Sequence, residues 1–272
     1  MPTPVLAWAV NSLNADVGIM ITASHNPPMD NGYKVYLGGE ADGITYRGSQ
    51  IISPTDGLIA KEIAAITSLR NQPRGNVWIV LDDAIFEEYV SRTAKLATKP
   101  GNLKIVYTAM HGVGKETLTA VFQAAGFPAP IMVTEQVEPD PDFPTVTFPN
   151  PEEPGAINLS IKKAKEVGAD LVIANDPDAD RCAAAINDPI RGWRMLTGDE
   201  LGIVFGEYIG RTNRAGIFAN SIVSSSCLKK IAEFYGLSFR ETLTGFKWIS
   251  KVENLTFGYE EAIGYGVDLK TA

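Results

Sequence analysis

Short apolar segments alternate with helical segments along this 272-residue chain, and this alternation constrains the fold more than any other feature. Five apolar runs predict strands, at Val17–Ile21, Leu103–Tyr107, Ile131–Val133, Leu171–Asn175 and Gly216–Asn220. Helical patterns stand after them, at Phe86–Leu96, Glu116–Ala125, Ile157–Val167, from Asp199, and at Cys227–Tyr235. A β-α-β rhythm is typical of helix-covered, mostly parallel sheets that bind ligands at the carboxyl ends of their strands. The sequence therefore predicts an α/β protein.

Two predicted boundaries divide the chain into three consecutive units with mixed or parallel sheets. They span residues 1–82, 83–190 and 191–272, and the second boundary lies near Asp188 and Pro189. A proline-dense segment at 137–154 interrupts the second unit. It predicts an ordered connection across the face of that unit, with a flexible linker as the alternative.

The charge and composition of the chain exclude several classes of partner. Its formal net charge is −8, which disfavours nucleic acid and anionic membranes, because both require a basic surface. No apolar run approaches the length of a membrane span, and no secretory signal precedes the first unit. Cys182 and Cys227 have neither metal-ligand spacing nor a disulfide framework. We therefore expect a cytoplasmic protein.

One serine stands where the first strand ends. Val17–Ile21 leads into Thr22–Pro28, whose Asn-Pro-Pro ending cannot extend a strand. Ser24 is therefore expected to lie exposed and fixed at the edge of the sheet. The alternative is an ordinary polar connection from strand to turn.

Three aspartates follow the strand Leu171–Asn175. In an extended segment every second side chain shares a face, so Asp176, Asp178 and Asp180 are expected to converge. Close carboxylates repel unless a cation lies among them, and an all-oxygen site of this size suits Mg²⁺. An EF-hand is excluded, because its sixth and twelfth positions would hold Arg181 and Asn187 instead of Gly and Glu. A solvated acidic turn remains the alternative.

Four segments, in this order, resemble the phospho-sugar mutases, a family that includes phosphoglucomutase and phosphomannomutase. Thr22–Pro28 resembles the family's phosphoserine loop and Asp176–Arg181 its magnesium loop. Thr244–Lys247 is similar to a substrate-contacting turn, and Gly258–Ala262 to the sugar-recognition loop. The resemblance covers essentially the whole chain. It implies the phosphohexomutase architecture with the fourth domain absent, the first unit incomplete at its N-terminus and the third truncated at its C-terminus.

The resemblance also implies roles near the serine. Ser24 would carry a phosphoryl group and bind Mg²⁺ together with the three aspartates, so the two loops must meet across a domain boundary. Lys34, ten residues after the serine, would act as general acid or base, although a solvent-facing strand lysine is the alternative. His25 points away from Ser24 if the strand continues, which disfavours a Ser-His pair, so we expect it to support the loop or bind phosphate.

Further residues are implied on the substrate side. Arg181 would face the phosphoryl group or the acidic loop, or form a salt bridge to an aspartate. Glu260 and Glu261 would bind sugar hydroxyls, and Lys247 a phosphate. Ala262 stands where many hexose-selective relatives have a serine, which resembles the branch of phosphopentomutase-like enzymes.

The implied activity is Mg²⁺-dependent transfer of a phosphoryl group between sugar 1-phosphate and 6-phosphate or 5-phosphate. It would proceed through phosphoserine and a sugar bisphosphate that serves as activator and intermediate. Phosphopentomutase and sugar-bisphosphate synthase activities are alternatives within the family. An alternative of another class is a truncated, non-catalytic module that binds Mg²⁺ and phosphosugar.

A rival enzyme class and a rival type of binding site also fit parts of the sequence. An aspartate-nucleophile phosphatase likewise has Asp-x-Asp after a strand, but it usually places Thr or Val where Asp180 stands. Gly112-Val113-Gly114 suggests a dinucleotide site, but Thr117 occupies the third glycine position, so a structural turn is the preferred interpretation.

Overall fold

A computed structural model of the chain describes residues 1–212 and 215–267. Three sheets of at least three strands follow one another along the described residues, and a two-stranded ribbon lies beside the first. Helices accompany each sheet, which confirms the predicted α/β class. The last five residues of the predicted third unit lie outside the described residues.

The first unit is built around an antiparallel sheet with strand order β1-β2-β5. Its elements are α1 (Thr3–Ser12), β1 (Val17–Ile21), β2 (Tyr33–Leu37), β3 (Glu40–Ala41), β4 (Ile44–Thr45), β5 (Ser49–Gln50) and α2 (Thr55–Ala65). Among the described strands it departs from the predicted mixed or parallel pairing. The reason is local, because β1 and β2 are joined by a loop without the crossover helix that parallel strands need.

The second unit is a mixed five-stranded sheet with order β10-β9-β8-β6-β7. Its elements are α3 (Ala84–Ala94), β6 (Ile105–Thr108), α4 (Gly114–Ala124), β7 (Ile131–Met132), α5 (Asn158–Val167), β8 (Leu171–Asn175), β9 (Cys182–Asp188) and β10 (Gly192–Met195). β6 is parallel to both β7 and β8, whereas β9 is antiparallel to β8 and β10. In β8 the side chains of Val172 and Ala174 are buried, and they alternate with partly exposed ones.

The third unit has strand order β12-β11-β13-β14. Its elements are α6 (Gly198–Thr212), β11 (Ile217–Ser221), α7 (Cys227–Phe234), β12 (Ser238–Thr242), α8 (Phe246–Ile249), β13 (Leu255–Glu260) and β14 (Gly264–Val267). β11 is parallel to β12 and β13, and β14 closes the edge by antiparallel pairing. The predicted helices and strands all exist, with ends that differ by at most two residues.

The second domain boundary requires a correction. β10 lies beyond the predicted division at residues 190 and 191, yet it pairs with β9 from Gly192 opposite Asp188 to Met195 opposite Ala185. A division at 190 therefore cuts a β-hairpin. The sheet places the change of unit after Met195, because an edge strand stays with the sheet that satisfies its backbone hydrogen bonds.

The proline-dense segment 137–154 is an ordered connection without helix or strand. The Thr145 hydroxyl lies 2.8 Å from His111 Nε2 and accepts a hydrogen bond from Gln136 Nε2 at 2.9 Å. Asn150 near its end is buried. These contacts hold the segment against the second unit and exclude the flexible-linker alternative.

Side chains of the third unit reach into both of the others. Ile263 is fully buried in the apolar core of the second unit, and its carbonyl accepts the Cys182 amide at 3.0 Å. Lys251 donates to the Gln50 carbonyl at 2.9 Å and lies 4.1 Å from the ring centroid of Tyr46 in the first unit. The third unit therefore contacts both of the others. Within the described ranges, no helix is long and apolar enough to cross a membrane.

Candidate active site

Ser24 leaves the path of its strand through a left-handed backbone conformation. β1 ends at Ile21, and Ser24 has φ 55°. Its amide donates to the Thr22 hydroxyl at 2.8 Å, which stabilises this rarely adopted conformation. The turn directs the Ser24 hydroxyl away from its own sheet and towards the second unit.

The three aspartates converge through a turn. The predicted extended alternation is wrong for this segment, because the Ala179 amide donates to the Asp176 carbonyl at 2.9 Å and Ala179 has φ 56°. One oxygen from each of Asp176, Asp178 and Asp180 lies within 4.8 Å of the others. The predicted convergence is therefore present, although its cause is a tight turn after β8.

The serine and the aspartates meet across the boundary between the first two units. Ser24 Oγ lies 3.2 Å from Asp176 Oδ2 and 3.3 Å from Asp178 Oδ1. The hydroxyl has one proton, so it can satisfy only one of these two acceptors. The Ser24 hydroxyl thus adjoins a cluster of three carboxylates, and this set of oxygen ligands suits a hard divalent cation such as Mg²⁺.

The carboxylates differ in their affinity for protons. Burial and repulsion from Asp180 and Asp178 raise the pKa of Asp176 well above its usual range. Burial also acts to raise the pKa of Asp178, but the Lys34 ammonium outweighs it and holds that pKa below its usual value. Burial and the Asp178 charge raise the pKa of Asp180. Without a bound cation, Asp176 therefore holds a proton more readily than an ordinary aspartate does, and a metal ion would compete with that proton.

We expect metal binding to release a proton from Asp176 wherever that carboxyl is protonated in the metal-free protein. Because the pKa of Asp176 is raised, this carboxyl is protonated as the pH falls through that value, and affinity for Mg²⁺ should fall with it. Calorimetric titration in buffers of different ionisation enthalpy measures the released protons. Asp176→Asn should abolish the release, and Asp142→Asn, on an exposed loop, should not. Binding that is independent of pH and of buffer would contradict the assignment.

Lys34 lies inside the cluster and is not a solvent-facing residue. Its ammonium donates to Asp178 Oδ2 at 2.7 Å and to Asp180 Oδ2, and it lies 3.5 Å from Ser24 Oγ. Burial alone would lower the pKa of Lys34, but Asp180 and Asp178 more than offset this and raise it above its usual value. Lys34 is therefore an ammonium at neutral pH and can act as a proton donor, not as a base, in this arrangement.

His25 contacts Ser24, contrary to the orientation expected for a continuing strand. Its Nδ1 lies 3.1 Å from Ser24 Oγ and 3.9 Å from Asp176 Oδ2. The left-handed turn at Ser24 is the reason, because it breaks the alternation of strand side chains. Burial, with help from Arg181 and Lys34, lowers the pKa of His25 to about 4, so the ring is neutral at pH 7.

Arg181 connects the aspartate loop with the third unit. Its guanidinium lies 4.0 Å from Glu152 Oε2, and within the described residues no aspartate oxygen lies within ion-pair distance of it, although its charge also acts to lower the pKa of Asp180, which burial raises. Glu260 ends β13 nearby. Burial raises the pKa of Glu260, and the positive charge of Arg181 acts in the opposite direction. This part of the site combines a guanidinium, which can bind an anion, with a carboxylate of raised proton affinity, which can bind hydroxyls.

Glu261 and Lys247 are the other two residues predicted to contact the substrate. Glu261 Oε2 accepts hydrogen bonds from Ser221 at 2.7 Å and Ser224 at 2.8 Å, so this oxygen supports the neighbouring loop. Lys247 lies half-buried in the short helix α8. Among the described residues no hydrogen bond or ion pair joins Lys247 to the aspartates, and its phosphate role stays a prediction.

Thr3, Thr22 and Gly112, which the sequence did not identify as site residues, also shape the site. Thr3 and Thr22 donate to Asp178 Oδ2 at 2.9 and 3.2 Å. The Gly112 backbone approaches Pro177 so closely that an added Cβ would lie 2.3 Å from its Cα. Thr22 stands two residues before the serine, and this proximity could have identified it as a site residue from the sequence. Thr3 is 175 residues away from Asp178, and nothing in the sequence indicates that the two are in contact.

Models of three consecutive domains of one family match the chain. Their descriptions are phosphoglucomutase/phosphomannomutase alpha/beta/alpha domain I at residues 1–69, domain II at 87–192 and domain III at 197–271. The gap between the last two matches includes the point where the second sheet ends.

The chain is similar to curated proteins along most of its length. It is 50% identical to a probable phosphomannomutase of Haemophilus influenzae, over 98% of this chain and 55% of that protein. It is 40% identical to a phosphoribomutase of Saccharomyces cerevisiae, over 97% of this chain and 48% of that protein. The chain thus spans about half the length of these relatives.

A crystal structure of a phosphoglucomutase/phosphomannomutase family protein from Burkholderia thailandensis has a similar fold. The TM-score is 0.78 at 24% identity, and the match covers 99% of this chain and 57% of that one. This likeness supports the architecture described above.

Proposed function

Because the chain belongs to the phosphoglucomutase/phosphomannomutase family, we propose that it is the part of a phosphosugar mutase that carries the phosphoryl group. The transfer links sugar 1-phosphate with 6-phosphate or 5-phosphate through phosphoserine and a sugar bisphosphate. One observation supports this above the others. Ser24 Oγ lies within 3.3 Å of carboxylate oxygens from a loop more than 150 residues away, which is close enough for one cation to bind both.

Ser24 and the three aspartates would hold Mg²⁺, which supplies charge neutralisation for the phosphoryl group. A phosphoserine adds about −1.5 to −2 charge beside these carboxylates, so a cation is needed for the modified state to persist. When the phosphoryl group leaves Ser24, the serine oxygen must regain a proton. Lys34 is an ammonium 3.5 Å from that oxygen and is the donor.

The substrate is a phosphorylated sugar, recognised by Arg181 and Glu260 with Lys247 as a further phosphate contact. Names among the relatives include both a phosphomannomutase and a phosphoribomutase, so they do not agree on hexose or pentose. Ala262 favours the pentose branch by resemblance. Comparing ribose 1-phosphate with glucose 1-phosphate as substrates of the full-length protein tests this choice. Accumulation of a sugar bisphosphate would instead favour a synthase.

The test of the proposal is transfer of one phosphoryl group to Ser24. The protein is incubated with glucose 1,6-bisphosphate and Mg²⁺, and its intact mass and modified peptide are measured. Wild type should gain one phosphoryl group on Ser24, and Ser24→Ala should gain none. Ser68→Ala removes a hydroxyl that makes no capping hydrogen bond, and should behave as wild type.

Two outcomes would overturn the proposal. Phosphorylation that survives Ser24→Ala and is lost in Asp176→Ala would favour an aspartate-nucleophile phosphatase. A protein that binds Mg²⁺ and phosphosugar but never becomes phosphorylated would be the non-catalytic module.

A further inference from the structure

The two carboxylate oxygens of Asp178 have different surroundings. Oδ2 accepts hydrogen bonds from Thr3 Oγ1 at 2.9 Å, Thr22 Oγ1 at 3.2 Å and Lys34 Nζ at 2.7 Å. Oδ1 lies 3.3 Å from Ser24 Oγ. Because Oδ2 is occupied by donors, only Oδ1 is free to face a cation beside the serine.

Thr3 holds Asp178 by two hydrogen bonds of different kinds. Its hydroxyl donates to the carboxylate, and its amide donates to the Asp178 carbonyl at 2.9 Å. Thr3 is 2% exposed and Asp178 3% exposed, so neither hydrogen bond competes with bulk water. Backbone and side chain of the same aspartate are therefore fixed by one residue.

The position of Thr3 in the fold makes this contact more than a local one. Thr3 is the first residue of α1 in the first unit, whereas Asp178 belongs to the second unit. The positive end of a helix dipole favours a nearby carboxylate. Pro2 and Pro4 flank Thr3, and proline restricts the backbone that presents the hydroxyl. The contact thus aligns the serine side of the site with the aspartate side.

We propose that Thr3 is a positioning residue for the metal centre: it restricts Asp178 to one-oxygen coordination and keeps that oxygen beside Ser24. This inference rests on the proposed function, in which Asp178 is a ligand of Mg²⁺. Residues that orient a metal ligand typically change metal affinity by about 10- to 100-fold when removed.

Thr3 is a cleaner probe than Thr22. The Thr22 hydroxyl also accepts the Ser24 amide, so its removal would disturb the serine turn together with Asp178. Thr3→Val keeps the shape of the side chain and removes only the hydroxyl. Thr3→Ser keeps the hydroxyl, so it is the rescue variant.

A matched control is available on α4. Thr117 is 8% exposed, and its hydroxyl has no hydrogen-bond partner among the described residues. Thr117→Val therefore removes a buried hydroxyl without disturbing a metal ligand.

The experiment measures Mg²⁺ and Mn²⁺ dissociation constants by calorimetry, together with urea unfolding in the absence of metal. Thr3→Val should bind both ions about tenfold more weakly than wild type. Thr3→Ser and Thr117→Val should stay within about twofold of wild type. A loss of stability in Thr3→Val with unchanged metal affinity would overturn the inference and leave Thr3 a purely structural residue.

These outcomes separate the inference from the proposed function. If Ser24 is phosphorylated and Thr3→Val binds metal as wild type does, the inference alone fails. If wild type binds no divalent ion, the metal assignment fails, and the inference fails with it. If Thr3→Val does not fold, its urea titration will show no cooperative unfolding. Thr3→Ser is then compared with wild type. Equal metal affinity supports the role of the hydroxyl, and a tenfold loss contradicts it.

Discussion

Lys34→Met should destabilise the metal-free protein by about 3 kcal/mol, because removing one partner of a buried ion pair leaves the other uncompensated. The side chains of Lys34 and Asp178 are 17% and 4% exposed, so water replaces little of the lost interaction. Asp180 is 29% exposed and can become protonated when the Lys34 charge is removed, which limits the loss of stability.

The same substitution should strengthen Mg²⁺ binding. The Lys34 ammonium places a positive charge beside Asp178 and Asp180 and occupies Asp180 Oδ2, so it opposes the binding of a metal ion there. Saturating Mg²⁺ should therefore restore most of the lost stability, since a ligand that binds only the folded state stabilises it. Urea unfolding with and without Mg²⁺ measures both effects.

Lys61→Met is the control for this prediction, because Lys61 is exposed on α2, far from the aspartates in sequence. It should change neither stability nor metal affinity appreciably. An equal loss of stability with and without Mg²⁺ in Lys34→Met would show that the lysine is not interchangeable with a metal ion.

Gly112→Ala should cost about 2 to 3 kcal/mol of stability, because the added methyl group overpacks a contact between two backbones. Its Cβ would lie 2.3 Å from both the Cα and the carbonyl oxygen of Pro177. The Val113 amide donates to that same carbonyl at 2.9 Å, so the turn and the aspartate loop are locked together. Neither backbone can move without shifting Asp176 or Asp178.

The comparison variant is Gly101→Ala, where an added Cβ has no heavy atom within 4 Å. Its stability should stay within about 0.5 kcal/mol of wild type. Thermal and urea unfolding report the difference, and Mg²⁺ titration of Gly112→Ala should show weaker binding. Wild-type stability and affinity in Gly112→Ala would mean that the loop can move aside at no cost.

Local sequence determined which segments form elements and where the chemistry stands along the chain. β1 and β8 were predicted with their observed ends, since short apolar runs bounded by polar turns depend mainly on their own residues. Ser24 and the three aspartates were identified because each group follows a strand that aims it. The meeting of the two loops followed from the family resemblance and not from either strand alone.

Tertiary structure decided which of these side chains face one another. His25 contacts Ser24 because φ at Ser24 is positive, and strand alternation does not foresee such a turn. β10 stays with the second sheet because β9 satisfies its hydrogen bonds, although the turn before it resembles a domain boundary. Thr3 reaches Asp178 across 175 residues. Contacts between residues so far apart in the sequence follow from packing and charge among whole units. The residues next to Thr3 in the sequence therefore do not indicate this contact.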